Sequence, residues 1–261
     1  MVRAFPACAR WMAPAVRAAS TATVRAAARS VIPASLGDNG GVPRRLFLPA
    51  LLLSLILGGC APPGGVRELN FRAGPAGGEV SAARLLTDQV VPEGRLLTVA
   101  QALDRAPEGS LILVCNRRWR AASPWGVCPH VSRKVAPGLL TEAPGLFAGG
   151  LLNGGPQTVP QARLASRDVV IVLDVGVRPE RLPALRAEIA RLDGLAYRVG
   201  GGDNPDPRDG LDCSTYQNAL QRAAGLPDAV PRRGAWNLYL PQDALGVPGV
   251  RVLWVGVRGK G

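Results

Sequence analysis

Apolar and polar positions along the chain follow two periods. Ser110–Cys115 and Asp168–Asp174 hold continuous apolar runs, the pattern of strands buried on both faces. Cys128–Val135 and Gly138–Ala143 lie either side of the Pro137-Gly138 turn and predict two further strands, and Arg251–Val257 predicts a last one. Helical spacing marks Thr98–Ala106, which Pro107 closes, and Glu180–Leu192, with Leu182, Leu185, Ile189 and Leu192 on one side. A third helix is predicted after the Asp209-Gly210 break. Asp212 is its N-cap and Cys213 falls in its first turn. Tyr216, Ala219, Leu220, Ala223 and Ala224 form one apolar face, and Gly225-Leu226-Pro227 ends the run. Asn116–Trp125, Gly145–Gln161 and Gly194–Asp209 read as loops. This order predicts an α+β domain with a mostly antiparallel sheet.

The start of the chain follows another pattern. Arg44-Arg45 precede an apolar run, Leu46–Leu57, that ends in Gly58-Gly59-Cys60. The run is shorter than the roughly 20 residues needed to span a bilayer, and with its basic flank it reads as an export signal. Leu57-Gly58-Gly59-Cys60 resembles a bacterial lipobox, which implies lipidation at Cys60; the other reading is an ordinary signal peptide with an incidental cysteine. Residues 1–43 are rich in Ala and Arg and do not fit a signal that begins at Met1, so a start near Val42 is expected and 1–41 read as mis-assigned. The expected partition is a signal region at 1–59, a lipidated cysteine and flexible tether at 60–94, and a domain at 95–261. The tether reading rests on the Pro/Gly-rich patches 61–65 and 73–78.

Charge changes this picture little. The formal net charge is +12 and the pI about 10.8. Residues 1–59 hold seven arginines and one acid, which leaves 24 bases against 18 acids in the remainder. These bases are scattered along the chain and argue against a nucleic-acid partner. No zinc or calcium spacing occurs, and Gly200-Gly201-Gly202 lacks the lysine and flanking strand of a phosphate loop. Neither metal nor cofactor is expected.

Cysteine and histidine carry the candidate chemistry. Beyond Cys60 the chain holds Cys115, Cys128 and Cys213, an odd number that leaves at least one thiol unpaired or paired outside the molecule in an oxidising compartment. Cys115 and Cys128 bound one loop between neighbouring strands, which suits a disulfide and equally suits two small core residues. A cysteine at a helix N-terminus is stabilised as thiolate, and such sites bring the pKa from about 8.5 to roughly 3.5–7.5. The other reading of Cys213 is a core residue or half of a disulfide. His130 is the single histidine, so it alone could take the proton of a cysteine nucleophile. Glu142, on the next strand, could hold the other ring nitrogen if the two strands pair.

Asp212-Cys213-Ser214, leading a helix that ends Ala224-Gly225-Leu226-Pro227, resembles the nucleophile helix of the papain-like NlpC superfamily of cell-wall cysteine peptidases. Here histidine precedes cysteine, which resembles the circularly permuted, YaeF/YiiX-like branch. Glu108–Leu113 is similar to that branch's Pro-Gly-Asp-Leu-Leu-Phe strand, Pro129-His130-Val131 to its histidine strand, and Thr141-Glu142-Ala143 to its glutamate strand. Gly194–Tyr197 is similar to its Gly-x-x-Tyr, and Leu240–Leu245 to its closing Pro-x-Asp-Leu. The chain departs from the family at Ser132, Arg133 and Lys134, where the family is apolar with a glycine, at Ser110, and at Thr215-Tyr216.

The resemblance covers roughly residues 95–245 and implies a circularly permuted papain-like (NlpC-type) fold whose sheet packs against the nucleophile helix. It implies Cys213 as nucleophile, His130 as general base and then acid, and Glu142 as the residue that orients the ring. Tyr197 and Asp212 are candidates for the substrate site, with a packed loop aromatic as the other reading of Tyr197. The expected protein is a monomeric thiol hydrolase, lipid-anchored on the outer side of a bacterial membrane, that cleaves amide bonds in peptide or peptidoglycan-like substrates. Two other readings remain: an acyl-lipid amidase or thioesterase, and a silent envelope lipoprotein of the same fold that binds partners through loop 116–125.

Overall fold

The computed structural model describes residues 65–120, 125–145, 154–199, 210–233 and 238–259. The signal region, Cys60 and the Gly200-Gly201-Gly202 tract lie outside the described residues, as do the middle of loop 116–125 and positions 146–153. Two short strands, β1 (Arg72–Gly74) and β2 (Val90–Pro92), pair in parallel, with the single-turn helix α1 (Leu85–Asp88) between them in the chain. Next come β3 (Leu96–Thr98), helix α2 (Val99–Arg105), β4 (Leu111–Cys115), β5 (His130–Ala136), β6 (Leu139–Glu142), β7 (Gln157–Pro160) and β8 (Val169–Asp174). Helices α3 (Leu182–Leu192) and α4 (Cys213–Ala223) follow, then the short pair β9 (Arg232–Arg233) and β10 (Leu238–Tyr239), and β11 (Arg251–Val257). Seven strands form one sheet in the order β3-β11-β8-β4-β5-β6-β7. Within this sheet only the β3–β11 pair is parallel, so this is a mixed α/β fold with few helices and a mostly antiparallel sheet.

The continuous apolar runs are explained by burial on both sides. Side chains alternate across the sheet, so Leu111, Leu113, Val169, Ile171 and Leu173 enter one core while Ile112, Val114, Val170 and Val172 enter another. Helix α2 covers the second core with Val99, Ala102 and Leu103. Its start is set by Thr98, whose hydroxyl accepts from the Gln101 amide at 3.2 Å while Gln101 Oε1 accepts from the Thr98 amide at 3.1 Å.

Helix α4 differs from its sequence reading as a helix with one apolar face. Residues Cys213 to Gln221 are all buried, although six of the nine are polar or carry a hydroxyl. The polar side chains find partners on several surrounding elements. Ser214 Oγ donates to Tyr239 O at 3.4 Å, and Gln221 Nε2 donates to Val175 O at 2.7 Å. Asn218 both donates to Val230 O at 2.8 Å and accepts from Val230 N at 2.9 Å, and Tyr216 OH shares a proton with Thr141 Oγ1 at 2.6 Å. A polar stripe signals exposure only when the surrounding chain offers it no partner, and here it offers several.

Two further expectations are corrected. Residues 66–94, read as tether, are part of the domain: Leu69, Leu85 and Val91 are buried in the first core, and the amides of Leu69 and Trp119 donate to Arg117 O and Arg67 O at 2.7 and 2.8 Å. They sit in short apolar stretches that sustain no period long enough to announce an element. Gly145–Gln161, read as loop, contains β7, an edge strand with a single buried residue, Val159. Trp119 is half-buried and packs one side of loop 116–125 against the first core.

Leu69→Ala distinguishes packing from tether. Truncating this buried side chain is expected to lower the unfolding free energy by about 2–4 kcal/mol in a denaturant titration, whereas a leucine in a free tether would leave it unchanged.

Candidate active site

Three elements bring the candidate residues together. Cys213 is the first residue of α4, which Asp212 caps: its Oδ1 accepts from the amides of Ser214 and Thr215 at 3.0 and 2.8 Å, while Thr215 Oγ1 accepts from the Asp212 amide at 2.9 Å. Gly210 lets the chain reach this cap. Its φ of +69° is in the left-handed region, and a Cβ there would lie 2.6 Å from Ala196 O. The close approach allows Leu211 to bridge Tyr197, with the Leu211 amide donating to Ala196 O at 3.0 Å.

His130 opens β5 and Glu142 closes β6. The two strands pair with Ser132 opposite Glu142, which places the carboxylate beside the imidazole. His130 Nε2 is 2.8 Å from Glu142 Oε2, and Ser132 Oγ donates to the same oxygen at 2.9 Å. Arg163 Nη1 stands 3.5 Å from the other carboxylate oxygen. The Glu142 side chain is only 2 % exposed, so these three groups decide its charge. Burial acts against ionisation, but the bond to His130, its charge, the Ser132 hydroxyl and the Arg163 guanidinium together hold the Glu142 pKa below the usual carboxylate value.

The imidazole itself is largely enclosed, at 19 % exposure of its side chain. Burial disfavours its charged form. Hydrogen bonds to Cys213 and Glu142, and the charge these two carry, outweigh burial and push the His130 pKa up from 6.5 to about 9. Cys213 is therefore close enough to the ring to act on it directly. With Nε2 held by Glu142, Nδ1 is the nitrogen left to serve the sulfur. A buried sulfur at a helix N-terminus, a ring that favours the imidazolium and a carboxylate fixing the ring form a Cys-His-Glu constellation suited to nucleophilic chemistry.

The remaining candidates take different positions. Tyr197 is half-buried, with its ring and hydroxyl 3.5–3.7 Å from where a Cβ on Gly145 would lie. Burial, and after it the charges of Cys213 and Asp212, raise its pKa and keep the phenol a neutral O–H. Asp212, a candidate for the substrate site, is buried and caps the helix that begins with Cys213. Cys115 and Cys128 form a disulfide, and Cys213 is the free cysteine among the described residues. Cys60 lies outside them. No group of three or more His, Cys, Asp or Glu among the described residues could hold a metal ion. Sequence reading missed Ser132 and Arg163. Ser132 was visible only as a departure from the family pattern, and Arg163 carried no signal because its short helical turn, Gln161–Leu164, falls where no element was read. No family model matches the chain, and neither curated proteins nor solved structures gave a match.

The lone histidine makes the coupling measurable. Its ring C–H resonance is expected to titrate near pH 9, well above the ordinary 6.5, and Cys213→Ala is expected to move the midpoint down. Because the folded-state value is the higher one, the stability this group contributes is full below about pH 6.5 and is lost as pH rises through about 9. Denaturant titrations from pH 6 to 10 should show that loss in the parent chain and a flatter profile in His130→Asn.

Proposed function

We propose that the protein is a cysteine hydrolase of circularly permuted papain-like fold, exported and lipid-anchored through Cys60, that cleaves amide bonds in cell-wall peptides. The observation that carries this reading is the meeting of Cys213, His130 and Glu142 from three separate elements. The order of those elements supports the permuted arrangement, since the strands with His130 and Glu142 precede the Cys213 helix. The disulfide between Cys115 and Cys128 supports an oxidising, extracytoplasmic site.

In the reaction proposed, the Cys213 thiolate attacks the amide carbonyl carbon and the carbonyl π electrons move to oxygen. The N–H of Cys213, at the positive end of α4, is a natural donor to that oxyanion; losing one such donor typically costs about 2.7–4 kcal/mol. His130 gives a proton to the leaving nitrogen as the C–N bond breaks, leaving a thioester on Cys213. Water then attacks the thioester with His130 as base, and the carboxylic acid departs as the thiol re-forms. Glu142 holds the imidazole by Nε2 throughout, and Ser132 and Arg163 hold Glu142. Peptidoglycan stem peptides are the leading substrates because the reading places the domain beside them. Acyl-lipid amides and thioesters share the same electrophilic carbonyl.

The test combines thiol reactivity with turnover. Cys213 is expected to react with iodoacetamide at pH 6 far faster than a thiol of pKa about 8.5. Incubation with purified muropeptides, read by mass spectrometry, should give amide cleavage that Cys213→Ala abolishes and that His130→Ala slows by about 10²–10⁴-fold. Ordinary thiol labelling together with no cleavage would discard the hydrolase and leave a binding module.

A further inference from the structure

Arg133 is fully buried, yet no carboxylate neutralises it among the groups it touches. Its Nε donates to Gln217 Oε1 at 3.0 Å, its Nη2 to Gln217 O at 3.4 Å and its Nη1 to Gly109 O at 3.0 Å. Gln217 in turn donates from Nε2 to Thr141 O at 3.3 Å. The position of these residues in the chain is the informative part. Arg133 lies three residues beyond His130 on β5, Gln217 one helical turn beyond Cys213 on α4, and Thr141 immediately before Glu142 on β6. Arg133 and Thr141 are also paired across the two strands. A single polar cluster thus joins the three elements that carry the site, without touching the reacting groups.

Stability alone does not account for it. A buried charge must be stripped of water, and burial brings the Arg133 pKa down to about 10, so the guanidinium stays charged at neutral pH against that cost. Apolar side chains of similar volume commonly do as well or better for stability in such places. What a forked guanidinium adds is direction: three N–H groups in one plane fix the angle and distance between the backbone at Gly109, the β5 strand and α4. We propose that Arg133 is a positioning residue, which together with Gln217 sets the separation of the Cys213 sulfur and the His130 ring. It rests on the reading of Cys213 and His130 as a working pair.

Iodoacetamide labelling of Cys213 as a function of pH, beside thermal unfolding, tests this on the full chain. Arg133→Met keeps the volume and removes the fork. It is expected to fold with unchanged or higher unfolding temperature. Its labelling at pH 6 should be slower by about 10²-fold, the scale of an ångström-sized misplacement. Arg133→Lys keeps a charge without the fork and should fall between the parent and Arg133→Met. A folded Arg133→Met or Arg133→Lys with the parent profile would overturn the proposal, as would failure of both to fold, which would make Arg133 a stability residue only. Ordinary labelling of the parent chain would instead remove the pair itself, and the proposal with it, so the two failures are told apart by which protein shows them.

Discussion

A helix buried along nine residues cannot leave polar groups to the solvent, and this constraint shapes the whole of α4 and its surroundings. Ser214, Tyr216, Gln217, Asn218 and Gln221 each need a partner from protein. They find it in five places: Tyr239, Thr141, the β5 arginine with Thr141 O, Val230 and Val175. The helix is therefore held from all sides by directional bonds, where an apolar helix would be held by packing that tolerates sliding. Its first residue inherits that fixity. The sulfur of Cys213 is placed by the same bonds that keep the helix buried.

The sheet gives the other half of the site by a simpler rule. Pairing Ser132 with Glu142 on adjacent antiparallel strands sets the carboxylate beside the imidazole two residues away, and a slip of one residue would send it to the opposite face. Glu142 then collects the hydroxyl of Ser132 and the charge of Arg163, so its ionised form survives burial. The ring is held at one nitrogen by a group whose charge is itself secured.

Much of this was legible in the chain. The strands β4, β8 and β11 stood out because unbroken apolar runs have few other uses, and the start of α4 because Gly210, Asp212 and the downstream Gly225 supply break, cap and stop. Cys213, His130 and Glu142 followed from chemistry and resemblance, with the lone histidine narrowing the choice. What stayed hidden was hidden for physical reasons. Leu69, Leu85 and Val91 belong to short apolar stretches whose burial depends on a surface built by distant strands. Val159 is the only buried residue of an edge strand that otherwise looks like loop. Ser132, Arg133 and Lys134 read as a polar interruption, because nothing local shows that Glu142, Gln217 and the carbonyls of Gly109 and Leu103 wait on either side of β5.

The covalent bond between Cys115 and Cys128 has one more implication. It ties the end of β4 to a point two residues ahead of the imidazole and closes a loop of 13 positions, a crosslink of a size that commonly contributes about 3 kcal/mol by restricting the unfolded chain. Until that bond forms, the chain lacks this clasp just where the histidine strand begins. Maturation of the site is thus tied to an oxidation event, and the chemistry of the surrounding compartment, ahead of any substrate, helps decide when the ring is firmly seated.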